Sequence, residues 1–478
     1  MRILRYVMVM TLLVLIARQL APAQDDSTPQ SGASSAPAQS VGAGSEQSAA
    51  PQMQPDTHPL AGAYLFTLGS VPEVHSYLQP VFSIGEVGET NAEALGGTAR
   101  QFETLTVPTG ALTLQALGKQ NDFGVSYLGG GFIYDNPTSG TPDGSFQELS
   151  IIDSYQFHRG SLSLGDSFSY MPEAGFGFGA AGVLGGFSTG LFGGLGFGSG
   201  TGQTNPMFTP NESVVTTGYG AYNNTTIAQA AYDLTARTSI SVMGSYGTLQ
   251  FGNKGSGLID GNQIIGLVGI NHVLSERDTI GVMYDYGTFG YVGNPVSFHS
   301  QMLDLTFGRK VTGRLSFQAY GGPELVTLRS GVGPSVTQTY FSGSAGFSYV
   351  SGRNVFSIFA GRYSSGGAGV VSGAETTSFT GSWTRPLTRS LHMDSYLGYS
   401  RNSSFLASSS SGKAHYGYWF GNLDLSRSLG RYISVRLGYE YQRQTVSAGP
   451  CVTQACASNL ADQVIGIGLT FTPRPIAL

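Results

Sequence analysis

The feature that most constrains this chain is a repeat of two residues. In Ile280-Gly281-Val282-Met283-Tyr284-Asp285-Tyr286 alternate positions are apolar, and Asp285 falls on the other face. Tyr432 to Tyr441 sets Ile433, Val435, Leu437, Tyr439 and Tyr441 on one side, with Arg436 and Glu440 on the other. Ile465 to Phe471 does the same with glycine as its second face. Side chains alternate across a strand, so these runs predict strands with one apolar face.

A second rhythm lies in the turns. Tight connections rich in Gly, Ser, Thr or Asp hold Arg237, Arg277, Arg314, Arg353, Arg389 and Arg431, at gaps of 40, 37, 39, 36 and 42 residues. Upstream, Lys119 and Arg159 are 40 apart, and Arg159 to Arg237 spans 78, twice 39. Each unit reads as strand, tight basic turn, strand, then a looser loop. Such loops are Gly252–Gly261, Glu324–Ser335, Ser364–Ala374, Asn402–Ala414 and Val446–Ala461.

Propeller blades and solenoids share this repeat length, but a blade packs four shorter strands into it and no blade signature recurs. A soluble sandwich needs a charged outer face. Only 11% of this chain is charged, where about 25% is usual, and the second faces are mainly Gly, Ser, Thr, Asn and Gln. Past residue 20 no run approaches the ~18 apolar residues of a spanning helix. A closed sheet remains, because only closure pairs every backbone N–H and C=O of a sheet in lipid.

The N-terminus fits export. Arg2 and Arg5, the apolar run Tyr6–Ala17 and the small-residue site Ala21-Pro22-Ala23 read as a signal peptide over 1–23. Its removal leaves 21 basic against 29 acidic residues, a net charge of −8. No basic patch suggests nucleic acid. Residues 24–77 begin as Ser, Ala, Pro and Gln without apolar periodicity, a disordered periplasmic tether. Cys451 and Cys456 suit a disulfide in an exported protein, while a metal clip there lacks two of the four ligands zinc wants.

With its signal, its alternation of short turns and long loops, and a last strand ending on Phe471, the chain resembles the outer-membrane β-barrels of Gram-negative bacteria, of the porin-like kind. The resemblance covers residues 78–472; that family ends on such an aromatic, whereas here Thr472 to Leu478 follow as a tail. The expected fold is all-β: a transmembrane antiparallel barrel of about 18 strands (16–20), counted with Pro80–Glu89 as the first. A further hairpin turning at Asn223-Asn224 would raise the count. The resemblance implies periplasmic turns, extracellular loops, contact with outer-membrane lipid and with barrel-insertion machinery, and a monomer or homotrimer passing small polar solutes. The competing expectation is a structural or adhesive barrel closed by the Gly-rich stretch within 171–213. That stretch, charge-free over Ala174–Asn205, reads as a lid or plug, an ordinary loop, or a hairpin in the wall.

Chemical motifs are weak. Gly177, Gly179 and Gly182 match G-x-G-x-x-G without a βαβ setting, and Gly186 to Gly190 matches G-x-S-x-G without an elbow. Both follow from a chain with 70 glycines. No cofactor and no enzyme is expected; the rival reading is a wall-embedded hydrolase using His392 and Asp394.

Charges within the strands are more informative. Asp285, Asp304, Asp394, Asp424, Arg436 and Glu440 oppose the apolar face of their strands, which in a barrel lines the lumen. Asp153 and Asp166 are the exceptions, sharing parity with the apolar residues of theirs. With a turn at Arg159-Gly160 they would stand directly opposite each other on the lipid face. Two ionised carboxylates do not persist there, so the hairpin is turned inward, covered by a neighbouring subunit or the Gly-rich stretch, or holds a shared proton or cation; the expectation is that protein covers this wall.

Overall fold

The computed structural model describes residues 76–90, 102–135, 144–171, 220–252, 258–329, 333–367, 371–408, 412–448 and 459–478. The signal peptide, nearly all of the tether, the Gly-rich stretch from 172 to 213, Cys451 and Cys456 lie outside these residues.

The described residues form antiparallel strands: β1 (Tyr77–Glu89), β2 (Glu103–Leu117), β3 (Asn121–Tyr134), β4 (Gly144–Phe157), β5 (Gly160–Met171), β6 (Ala221–Thr235), β7 (Thr238–Phe251), β8 (Gly261–Val273), β9 (Asp278–Tyr291), β10 (Ser297–Lys310), β11 (Leu315–Arg329), β12 (Val336–Ser351), β13 (Asn354–Ser365), β14 (Ala374–Pro386), β15 (Leu391–Ser408), β16 (Gly412–Ser428), β17 (Ile433–Ala448), β18 (Asn459–Phe471) and the short β19 (Ile476–Ala477). Each of β1 to β18 pairs with its sequence neighbours, and β1 meets β18 with Phe82 opposite Phe471 and Glu89 opposite Val464. The sheet therefore closes as an 18-strand barrel, and closure removes the open edges that lipid would not tolerate.

Asn223 and Asn224 lie inside an unbroken β6, paired to β5 and β7, so they turn no hairpin. The tail after Phe471 is also in the sheet. Ile476 and Ala477 pair with Leu78 and Tyr77, and the Gln79 Nε2 donates to the Pro473 carbonyl at 2.7 Å.

The turn rhythm has a local cause. Thr235 Oγ1 accepts from the N–H of Arg237 and Thr238, Ser275 Oγ from Arg277 and Asp278, and Thr312 Oγ1 from Arg314 and Leu315, all at 3.0–3.2 Å. Thr388 Oγ1 does the same for Ser390 and Leu391. A hydroxyl that caps the N–H groups two and three residues on stabilises a tight reversal. These turns lie at one end of the barrel, together with the start of β1 and the end of β18.

The alternation sorts the wall into two faces. On β9, Ile280, Val282, Tyr284 and Tyr286 are more than 40% exposed, whereas Met283 and Asp285 are buried. The exposed set around the barrel is dominated by Leu, Ile, Val, Tyr and Phe. That face is outward, because residues of the other face touch across non-adjacent strands: Phe298 of β10 meets Phe405 of β15, with ring centroids 5.3 Å apart.

The inner face is less polar than expected. Near the long-loop end it carries an apolar cluster that includes Ile265, Leu267, Met283, Phe289, Phe298 and Phe405. Two of the expected loops are also shorter than the sequence suggested. β11 runs on to Arg329, and β15 to Ser408. Backbone pairing there continues past the point where the apolar alternation fades, so periodicity alone ends each strand early.

Candidate functional site

The narrowing of the lumen begins with a break in the wall. β12 and β13 pair from Ser351 and Asn354 up to Gly343 and Arg362, and no further. β13 and β14 stay paired up to Ser365 and Ala374. Freed from β12, the top of the β13–β14 hairpin leans inward, and Tyr363, Ser364 and Ser365 are all buried.

Its tip is built on glycine. Gly367 and Gly373 have φ of 63° and 84°, which L side chains rarely adopt. The Gly373 N–H donates to the Gly366 carbonyl at 3.0 Å, closing the tip. A Cβ on Gly373 would lie 2.7 Å from Phe298 and 3.0 Å from Phe405, so the missing side chain lets both rings close over it. Two sides hold the tip in place. From β9 and the loop after it, Tyr291 donates its hydroxyl to the Gly366 carbonyl and Asn294 Nδ2 donates to Ser372 Oγ at 3.1 Å, while on the neighbouring strand β15 the Phe405 N–H donates to the Gly373 carbonyl at 3.2 Å. Phe405 reaches inward beside a β-bulge between Ser403 and Ala407, where an extra residue re-aims the strand. Phe289 and Phe298 stack at 4.3 Å to complete the roof.

Below this roof lies a group of acids. Asp285 stands opposite Met302, and Met302 opposite Glu324, on adjacent strands β9, β10 and β11. Asp304, two residues along β10 from Met302, faces the lumen beside Gly322. A Cβ on Gly322 would collide with the Leu303 carbonyl and come within 3.0 Å of Asp304 Oδ1. Glycine at 322 therefore makes room for the Asp304 carboxylate against β11. Asp285, Asp304 and Glu324 are 3%, 0% and 1% exposed. Both oxygens of Asp285, both of Asp304 and one of Glu324 have no hydrogen-bond partner. The nearby Arg362 is held by Glu375, with Nε donating to Oε1 at 2.6 Å.

The far wall carries a mixed group. Asp394 of β15 faces Asp424 of β16 directly, and Asn422 faces Glu440 of β17. Arg436 stands across from Ser426, one diagonal step from Asp424, and interacts with both Asp424 and Asp394. Its other neighbour is Gly468 of β18, which leaves space for the guanidinium. All six of the lumen candidates thus sit on the inner face, but in two groups. Asp285 and Asp304 belong to the acid cluster under the roof, and Asp394, Asp424, Arg436 and Glu440 to the opposite wall. His392 lies across from Ser426.

Closed on itself, greasy outside and charged within, this is a transmembrane β-barrel. A scan against protein-family models finds no match, and neither does a search of curated proteins. Among solved structures the barrel is similar to OccK2 (OpdF) of Pseudomonas aeruginosa in complex with glucuronate, at 10% identity and a TM-score of 0.43, over 84% of this chain and 98% of that one. It is similar to a BenF-like porin from Pseudomonas fluorescens Pf-5, at 10% identity and a TM-score of 0.41, over 84% and 99%. The ferric-catecholate import receptor Fiu of E. coli K12 is a third, at 9% identity and 0.41, over 84% and 82%. Likeness at this level carries no argument about what the barrel transports.

The barrel corrects the expected acidic pair. The β4–β5 turn is His158-Arg159, not Arg159-Gly160, so Asp153 faces Leu164 and Asp166 faces Ile151. The carboxylates are offset by two residues rather than directly opposed. A shift of two preserves the face, because the side-chain period is two, and both remain on the outward side with Leu162 and Leu164. The chain supplies Asp166 with local partners: Thr226 Oγ1 donates at 2.6 Å and Asn224 Nδ2 at 3.2 Å, both from the outward face of β6.

Three groups at the site escaped the sequence reading. Glu324 reads in sequence as the head of a loop, although its parity with Gly322 and Val326 marks it as inner wall. The inward lean of β13–β14 has no local signature beyond the glycines around its tip. Phe405 depends on a bulge, which no periodicity predicts.

Proposed function

We propose that this barrel is a channel for small polar solutes, passed by diffusion through a lumen narrowed by the β13–β14 tip, without a catalytic step. The observation that supports this reading is the inner wall itself. The carboxylates of Asp285, Asp304, Glu324, Asp394, Asp424 and Glu440, the Arg436 guanidinium and many Ser and Thr face inward along an 18-strand closure, a size that leaves an aqueous passage when nothing fills it. An inward-folded segment then sets the bore and leaves a defined face for selectivity.

The test is conductance of the full chain in planar lipid. A steady ion current is expected, and Gly373→Val should enlarge it by at least twofold, because the tip can no longer close against Phe298. Silence in both proteins would overturn the channel reading. Current arising only after deletion of 174–205 would favour the closed structural barrel instead.

A further inference from the structure

We propose that Asp285, Asp304 and Glu324, with the aromatic roof above them, form a binding site for a small organic cation: an ammonium or guanidinium group bearing an apolar tail. This rests on the channel reading, since the ligand must enter the lumen. Three carboxylates from adjacent strands are directed at one stretch of inner wall, and five of their oxygens are buried without a partner. Buried carboxylates without donors are costly unless a cation joins them. The protein supplies none to Asp285 or Asp304, and only Glu324 feels the charge of Arg362. Among the described residues no Lys or Arg forms a salt bridge with Asp285 or Asp304, and Arg362 is already committed to Glu375.

The geometry selects the kind of cation. Asp285 and Glu324 are separated by a full strand, roughly 9–10 Å. A metal ion gathers its oxygens at about 2.0–2.6 Å, and no group of three acids among the described residues is arranged to hold one. An organic cation with several N–H donors spans such a gap. The surroundings suit its carbon atoms. The Met302 thioether sits between the acids, and Tyr340 stands directly opposite Glu324. Farther up the same strands, Phe289 and Phe298 offer an apolar shelf for a tail. Tyr340 already receives a cation on its ring, the Lys413 ammonium at 6.0 Å from the centroid.

Isothermal titration calorimetry on the full chain in detergent tests this without needing current to flow, so that failure here and failure of the channel reading are separate results. The probes are phenethylammonium, its anionic counterpart phenylacetate, and Mg²⁺. Phenethylammonium should bind, phenylacetate should not, and Asp285→Asn/Asp304→Asn should weaken phenethylammonium at least tenfold. Glu276→Gln, on the exposed β8–β9 turn, should change it less than twofold. Slower migration after heating on a denaturing gel confirms that each variant has folded. The assignment fails if the native protein does not bind phenethylammonium, if phenylacetate binds equally well, or if the double variant binds unchanged. Mg²⁺ that displaces phenethylammonium at equal concentration would reassign the site to inorganic ions.

Discussion

Asp166 and Asp304 sit at the same height on opposite faces of the wall. Each is six residues from the turn end of its strand, roughly 15 Å up for strands tilted by about 40°. The outer carboxylate is satisfied, with an amide and a hydroxyl from β6. The inner one is completely buried with neither oxygen partnered. Against lipid no water can help, so a carboxylate is tolerated where its own sheet provides donors. The lumen sets a different condition, because an arriving solute can complete the site. An unsatisfied acid inside can take a partner from solution, whereas the same acid outside would only be a liability.

The sharpest challenge to this contrast is Asp166→Arg. A cation on the lipid face at mid-depth is expected to cost about 2–4 kcal/mol, read from urea unfolding in lipid vesicles. An unchanged midpoint would mean that lipid does not reach this face. Removing one donor is gentler. Thr226→Val should cost about 1.5–3 kcal/mol, the worth of a hydrogen bond to a charged group, and the same vesicle assay reads it. On the inside the sign reverses. Asp285 and Asp304 are diagonal neighbours, about 7 Å apart, and repel by roughly 2 kcal/mol at an effective dielectric near 20. In a buffer free of organic cations, Asp304→Asn should therefore stabilise the barrel, by about 1–2 kcal/mol, and lower its preference for cations in reversal-potential measurements. A loss of stability would show that Asp304 already has a structural partner. The smallest effect is expected at Asp153, which has one buried oxygen without a donor. Asp153→Leu should gain about 1 kcal/mol in lipid. A loss, accompanied by a change in oligomeric mass, would support the expectation that protein covers this part of the wall.

Much of the barrel was legible because its two signals are local. Alternation marks each strand crossing the membrane, and the tight turns with their Lys or Arg residues, four of them capped by a hydroxyl, mark every second connection, so the 18 strands follow by counting. The inner placement of Asp285, Asp304, Asp394, Asp424, Arg436 and Glu440 follows from parity alone. Register is different. The β4–β5 hairpin could turn at either of two neighbouring dipeptides with every side chain on the same face, and only the pairing geometry separates them. Above the membrane the strands continue without apolar alternation, which concealed Glu324. The lean of β13–β14 is a tertiary event, decided by contacts between Gly373, Phe298 and Phe405 that lie far apart in the chain.

The seam between the two chain ends has a consequence for truncation. Gln79 binds the Pro473 carbonyl across 394 residues of sequence, and Leu478 donates its N–H to the carbonyl of Ser76. Closure itself is made by β1 against β18, and the residues after Phe471 extend that seam at its foot. A polypeptide clipped after Phe471 would keep the closed cylinder and lose only the lowest stitches of its seam, so the tail acts as a hem rather than as the clasp.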